Sequence, residues 1–137
     1  MTSQILLDTH AAIWSSNGLL KPAAERNIDQ AARRKELLLS PVSAWEIGML
    51  VKKGRLLLTW PLEEWVRAMF AAPGVVTAAI TRAIALNAAQ LPGSPPRDPA
   101  DRILIATAAA YGAAILTRDK AMLHYAKATG HVRCVAC

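Results

Sequence analysis

Residues 96–119, PRDPADRILIATAAAYGAAILTRD, indicate the architecture that we expect for the whole chain. Asp98 is a good helix N-cap, and the proline after it suits the first helical position, where no backbone N–H is needed. An alanine-rich helix follows, and Gly112 is its natural stop. The apolar run 113–116 then predicts a short buried strand, and Asp119 lies just beyond it. The stretch therefore predicts helix, turn and strand, with a carboxylate near each end.

The same alternation of short apolar strands and helices runs through the rest of the chain. Further strands are predicted at residues 5–7, 37–39, 75–77 and 131–135, with helices between them. This alternation is typical of an α/β fold with a mainly parallel sheet of about five strands. No repeat or linker interrupts it, so we expect one domain over residues 1–137.

Four acids are predicted to meet at one edge of this sheet. With right-handed crossovers, the carboxyl ends of parallel strands and the N-termini of the following helices share that edge. Asp8 and Asp119 each follow a strand, and Asp101 lies in the first turn of the helix after Asp98. Glu46 is predicted in the first turn of another helix, as part of a capping box that begins at Ser43.

Each acid by itself has a simpler, structural explanation. Asp8 and Asp119 can cap the helices behind them, and Glu46 can complete the capping box. Asp101 suits the positive end of a helix dipole. Together, however, clustered carboxylates repel one another unless a cation neutralises them. Because their ligand atoms are all oxygens, the acids favour Mg²⁺ or Mn²⁺, which can activate water for attack on phosphorus.

Composition narrows the function classes further. The net charge of +6 favours a polyanionic partner, although ordinary solubility charge explains it equally well. The 53% apolar content excludes wholesale disorder, and no run is long enough to span a bilayer. Residues 1–7 have neither a basic segment nor a long apolar core, so we expect no secretory signal and a cytoplasmic protein. The candidate phosphate contacts are Lys52, Lys53, Arg55 and Arg118.

Other residues that could carry chemistry are given structural interpretations. Cys134 and Cys137 form a C-x-x-C pair, but a zinc site needs two more soft ligands, and a redox motif sits at a helix start after a strand. We therefore interpret them as incidental thiols. His10 is interpreted as a helix-start residue, and Trp45 and Trp65 are expected in the core.

Four segments, in this order, resemble the PIN-domain ribonucleases and specifically the VapC-type toxins. They are LLDTHAAIW (6–14), SPVSAWEIGMLVKKGRL (40–56), RDPADRILIATA (97–108) and ILTRD (115–119). The resemblance implies a three-layer α/β/α sandwich around a parallel sheet and a divalent-metal site. It also implies endonucleolytic cleavage of structured RNA, held in check by a small VapB-type antitoxin.

The resemblance also implies roles for individual residues. Thr9 and Thr117 correspond to hydroxyl residues that flank the site and position acids or water. Asp98, which the residues themselves indicate as the helix N-cap, is expected to support the site. We therefore expect a Mg²⁺- or Mn²⁺-dependent endoribonuclease that forms a homodimer or a toxin–antitoxin hetero-oligomer. The acidic quartet that would hold the ion and carry the catalysis is Asp8, Glu46, Asp101 and Asp119.

Two other functions remain open at this point. A metal-dependent phosphohydrolase of the haloacid-dehalogenase kind would share the sheet and the ion. It would, however, need a second Asp two residues after Asp8, where the chain has His10. A non-catalytic module that binds RNA or protein would keep the basic charge and would lose nothing if the acids were neutralised.

Overall fold

The structure, a computed structural model, describes residues 4–137, which contain one parallel five-stranded sheet. The first three residues of the segment searched for a secretory signal lie outside this range. The order in the sheet is β3-β2-β1-β4-β5, and every neighbouring pair is parallel. The prediction of a mainly parallel sheet of about five strands is confirmed. The strands are β1 (Ile5–Leu7), β2 (Leu37–Leu39), β3 (Val75–Thr77), β4 (Ala114–Thr117) and β5 (Arg133–Ala136).

Helices cover both faces of the sheet, which confirms the three-layer α/β/α arrangement. Strand residues alternate between the layers, so that Leu38 and Ile115 face one helical layer while Leu39 and Leu116 face the other. Helices α5, α6 and α7 form the first layer, α1, α2 and α4 form the second, and α3 contacts members of both. The helices are α1 (Thr9–Ser16), α2 (Pro22–Arg33), α3 (Pro41–Lys52), α4 (Leu62–Phe70), α5 (Arg82–Ala89), α6 (Pro99–Tyr111) and α7 (Lys120–Thr129).

The direction of the chain across the sheet changes between β1 and β4. Strands β1, β2 and β3 follow one another outward, and the chain then returns through α6 to place β4 on the other side of β1. Leu7 pairs with Leu116, so the two strands end side by side. In parallel α/β sheets, such a reversal leaves a crevice beyond the strand ends. Within residues 4–137, no helix has the length and apolar character needed to cross a membrane.

The central stretch forms the elements that the sequence predicts. Asp98 is the N-cap of α6, and Gly112 ends that helix in the left-handed conformation, with a φ of 65°. A residue with a side chain would be strained at this φ, so glycine is favoured at the position where the helix ends. Strand β4 begins at Ala114, one residue later than predicted.

Helix α3 begins earlier than the predicted capping box. Ser40 is its N-cap, and the Ser40 Oγ accepts a hydrogen bond from the Val42 N–H at 3.1 Å. Proline at the next position suits the start of a helix, so the prediction of a cap at Ser43 is wrong. Glu46 consequently lies in the second turn. The prediction of a buried Trp45 is also wrong, because 59% of this residue is exposed.

Candidate functional site

Asp8 lies at the end of β1, and its carboxylate is held from two sides. Its Oδ1 accepts a hydrogen bond from the Ala11 N–H at 2.7 Å, which makes Asp8 the N-cap of α1. Its Oδ2 accepts a hydrogen bond from the Thr117 hydroxyl of the neighbouring strand. Only 6% of Asp8 is exposed. Asp8 can therefore cap α1 with one oxygen and still belong to an acidic site.

Glu46 is brought toward Asp8 by two hydroxyl groups. The Thr9 hydroxyl donates to Glu46 Oε1, and the Thr9 hydroxyl oxygen lies 2.9 Å from Ser43 Oγ. Because a hydroxyl has one proton, Thr9 donates to Glu46 and accepts from Ser43. Thr9 and Ser43 are both buried. This chain of hydrogen bonds joins α3 to α1 and orients the Glu46 carboxylate.

Ser43 is a site residue that the sequence analysis missed. The spacing of Ser43 from Glu46 could have indicated this role, but Ser43 was interpreted only as a helix cap. Two residues three positions apart lie on the same face of a helix, so a buried Ser43 shares the site-facing side of α3 with Glu46.

Asp101 lies half-buried in the first turn of α6, directly after its cap. Asp98 Oδ1 accepts a hydrogen bond from the Asp101 N–H at 3.1 Å, which confirms the predicted N-cap. Burial, and after it the negative charges of other acids, together raise the pKa of Asp101 to about 7. In decreasing order of effect, these acids are Asp98, Asp119, Glu46 and Asp8.

Asp119 completes the group from the end of β4. Its Oδ1 accepts hydrogen bonds from the Ala121 N–H at 2.8 Å and the Met122 N–H at 3.2 Å, so it caps α7. Its backbone N–H donates to Thr117 Oγ1 at 2.9 Å. Thr117 therefore contacts two of the acids, since its own proton goes to Asp8.

The site carries unneutralised negative charge. Burial also raises the pKa of Asp8 and of Glu46, while hydrogen bonds from Thr117 and Thr9 partly offset this effect. Among the described residues, no lysine, arginine or histidine forms an ion pair with any of these acids. Repulsion among them is relieved by protonation or by a bound cation.

The chemistry of the donor set fits a hard divalent cation. The side-chain ligand atoms of the four acids are carboxylate oxygens, which Mg²⁺ and Mn²⁺ prefer. In the range 4–137, no three His, Cys, Asp or Glu side chains are placed to ligate one ion jointly. Mg²⁺ usually keeps several of its waters and takes one or two protein carboxylates, so its binding does not require three side chains that ligate it together.

The basic residues predicted to bind phosphate lie in two different places. Lys52, Lys53 and Arg55 are exposed at the C-terminal end of α3, beyond Glu46. Arg118 is next to Asp119, but its Nε donates to the Cys137 carbonyl at 2.7 Å, and its guanidinium lies over Trp14. Arg118 therefore already has a structural role.

Cys134 and Cys137 face opposite layers of the sheet. Cys134 packs against the core beneath α7, whereas Cys137 is buried in the core beneath α1 and α2. Burial raises the pKa of the Cys134 thiol to about 11. A thiol with so high a pKa is a weak nucleophile, which agrees with their interpretation as incidental thiols.

The chain is similar over most of its length to a known protein family and to a known protein. The chain matches the PIN domain family model over residues 5–128. It is 36% identical to Ribonuclease VapC22 of Mycobacterium tuberculosis over 118 residues, which cover 85% of this chain and 87% of that protein.

Two solved structures share the fold at low sequence identity. The crystal structure of VapBC2 from Rickettsia felis bound to a DNA fragment from their promoter matches with a TM-score of 0.69 and 12% identity, covering 96% of this chain and 97% of that one. The crystal structure of FitAcB from Neisseria gonorrhoeae matches with a TM-score of 0.62 and 20% identity, covering 96% of each chain.

Proposed function

Because the chain belongs to the PIN domain family, we propose that it is a Mg²⁺- or Mn²⁺-dependent endoribonuclease and the toxin of a toxin–antitoxin pair. The similarity to a VapC ribonuclease over most of the chain supports the nuclease activity. We propose that it acts in the cytoplasm, where its RNA substrate would be found. The observation that carries the proposal is the placement of Asp8 and Asp119 at the ends of the paired strands β1 and β4, where Thr117 hydrogen-bonds to both.

The proposed ion-binding and catalytic residues are Asp8, Glu46, Asp101 and Asp119. Mg²⁺ or Mn²⁺, when bound, supplies positive charge that stabilises the charge developing on a phosphodiester and lowers the pKa of a water molecule. Thr117 and Thr9 keep Asp8 and Glu46 oriented through their hydrogen bonds. Preorganised carboxylates of this kind lose little free energy to reorientation during the reaction.

Removal of the metal tests the proposal directly. We expect the purified protein to cleave structured RNA in Mg²⁺ or Mn²⁺, to stop in chelator, and to recover when Mn²⁺ is added back. Metal at about 100 times its Kd should also stabilise the fold by about 2.7 kcal/mol, because it binds only the folded acids. Thermal melts in Mn²⁺, chelator and added K⁺ measure this effect. Equal melting temperatures in chelator and Mn²⁺ would contradict the shared site.

The stability of the metal-free protein should fall as the pH rises toward 7. The pKa of Asp101 is raised from 3.8 to about 7, so between these values the folded state holds a proton that the unfolded state has released. The stabilisation from protonated Asp101 is complete below pH 3.8, and it is lost as the pH rises through about 7. Melts in chelator across this range should show the decline. Asp101→Asn should weaken it, and the exposed control Asp29→Asn should leave it unchanged.

A groove that none of the four acids lines supports the antitoxin as a partner. The cavity has a volume of about 520 Å³ and lies between α1, α2 and α4. Its lining is largely apolar and includes Trp60, Trp65 and Met69. Trp60 is 55% exposed, which is a large apolar surface to leave in water. We propose that an amphipathic helix of the antitoxin packs here, and that a basic residue of its tail enters the acidic site.

Coexpression with the small antitoxin expected to be encoded beside this protein tests the groove. We expect a stable complex without nuclease activity. Trp60→Ala should weaken that complex by tenfold or more in Kd, an effect of about 1.4 kcal/mol, because a buried tryptophan anchors an interface. Trp45→Ala is the matched control, since Trp45 is 59% exposed and lies outside the groove. Equal effects of both variants, or separate elution of the two proteins, would argue against this site.

A further inference from the structure

Trp14 of α1 contacts two side chains that reach it from different parts of the chain. His10, one turn earlier on the same helix, has its ring centroid 5.6 Å from that of Trp14, with the planes inclined at 44°. The Arg118 guanidinium carbon lies over the indole, 4.3 Å from its centroid. We call His10, Trp14 and Arg118 the rim strip.

The rim strip is connected to the acidic site at both of its ends. His10 comes two residues after Asp8, and its charge acts on both Asp8 and Glu46. At the other end of the strip, Arg118 immediately precedes Asp119. A molecule whose phosphate reaches these acids therefore extends next to the strip.

The strip is accessible and held in place. His10 and Arg118 are exposed, and Trp14 is half-buried against the core beneath α1. The hydrogen bond from Arg118 Nε to the Cys137 carbonyl fixes the guanidinium above the indole. Little side-chain entropy remains to be lost when a ligand contacts groups that are already ordered.

We propose that the rim strip binds an unpaired RNA base next to the cleaved phosphate, an inference that rests on the proposed ribonuclease function. Bases stack on aromatic rings and on guanidinium planes, and the strip presents both beside the site of phosphate chemistry. The Arg118 charge also favours a polyanion. A basic residue of an antitoxin tail would bind the acids and not the strip, because Arg118 carries the same positive charge.

Steady-state cleavage of a structured RNA in Mg²⁺ tests the strip. For His10→Ala, we expect KM to rise about tenfold, because stacking contributes substantially to single-strand binding, while kcat changes little. His10→Phe keeps an aromatic ring and should restore most of the lost binding. His131→Ala is the matched control, because His131 is exposed and precedes β5, at the opposite edge of the sheet from the acids.

Three results separate this inference from the proposed function. If the wild-type protein cleaves RNA and His10→Ala has the same KM as His131→Ala, the strip does not bind RNA, although the nuclease proposal stands. If His10→Ala weakens only the antitoxin complex, the strip is a protein contact and the inference is overturned. If the wild-type protein cleaves no RNA in Mg²⁺ or Mn²⁺, the proposed function itself fails. A Mn²⁺-induced rise in Tm should persist in all three histidine variants.

Discussion

Asp8→Asn is expected to lower the rate of RNA cleavage by about 100-fold or more, a loss of about 2.7 kcal/mol or more in transition-state stabilisation. The substitution removes the charge from the most buried of the four acids. It should leave the fold intact, because the Asn oxygen can still accept from the Ala11 N–H and Asn is a good N-cap. The Thr117 hydroxyl can rotate to accept from the Asn amide.

Cleavage kinetics in Mg²⁺ and a thermal melt together measure this effect. The control is Asp29→Asn, which removes a charge from the exposed surface of α2. Relief of growth inhibition on expression of Asp8→Asn would give the same answer in cells. A folded Asp8→Asn protein that cleaves at the wild-type rate would favour the binding-module alternative, since such a module does not need the charge.

Asp101→Asn is expected to abolish cleavage with little loss of stability, whereas Asp98→Asn should keep substantial activity. The Asp98 carboxylate already accepts a hydrogen bond from the Asp101 N–H, and an Asn side chain keeps an oxygen that can accept the same bond. Asp101 is half-buried and is coupled electrostatically to every other acid of the group. Asp98→Ala removes the cap and should lower the free energy of unfolding by about 1 kcal/mol.

The comparison of the Asp98 and Asp101 variants also tests whether Asp98 belongs to the acidic site. Asp98 has the largest charge effect on Asp101, and it acts on Glu46 as well. Activity assays and chemical denaturation of both Asn variants separate catalysis from capping. Equal loss of activity in the two would make Asp98 a fifth member of the acidic site.

Much of the fold could be predicted because its signals are local. A strand of three apolar residues, such as Leu37–Leu39, is buried on both faces and therefore reads as a continuous apolar run. The start of α6 at Asp98 and its end at Gly112 depend on caps that act within one turn. The start of α3 was missed because Ser40 and Ser43 are both reasonable caps, and only the proline at position 41 distinguishes them.

The sequence by itself determined the order of the elements and the edge at which the acids lie. Periodicity places Asp8 and Asp119 after strands and Asp101 at a helix start, and parallel strands bring such positions to one side of the sheet. These features depend on residues close together in the chain.

Tertiary structure alone decided the long-range partners of Asp8 and Glu46. Thr117 and Asp8 are 109 residues apart, and their hydrogen bond exists because β4 pairs with β1 rather than with β3. Ser43 reaches Thr9 for the same kind of reason, across the contact between α1 and α3. The burial that raises the pKa of Asp101 likewise depends on all the surrounding elements together. Hydrogen-bond geometry and desolvation are properties of packed neighbours, so sequence spacing does not determine them.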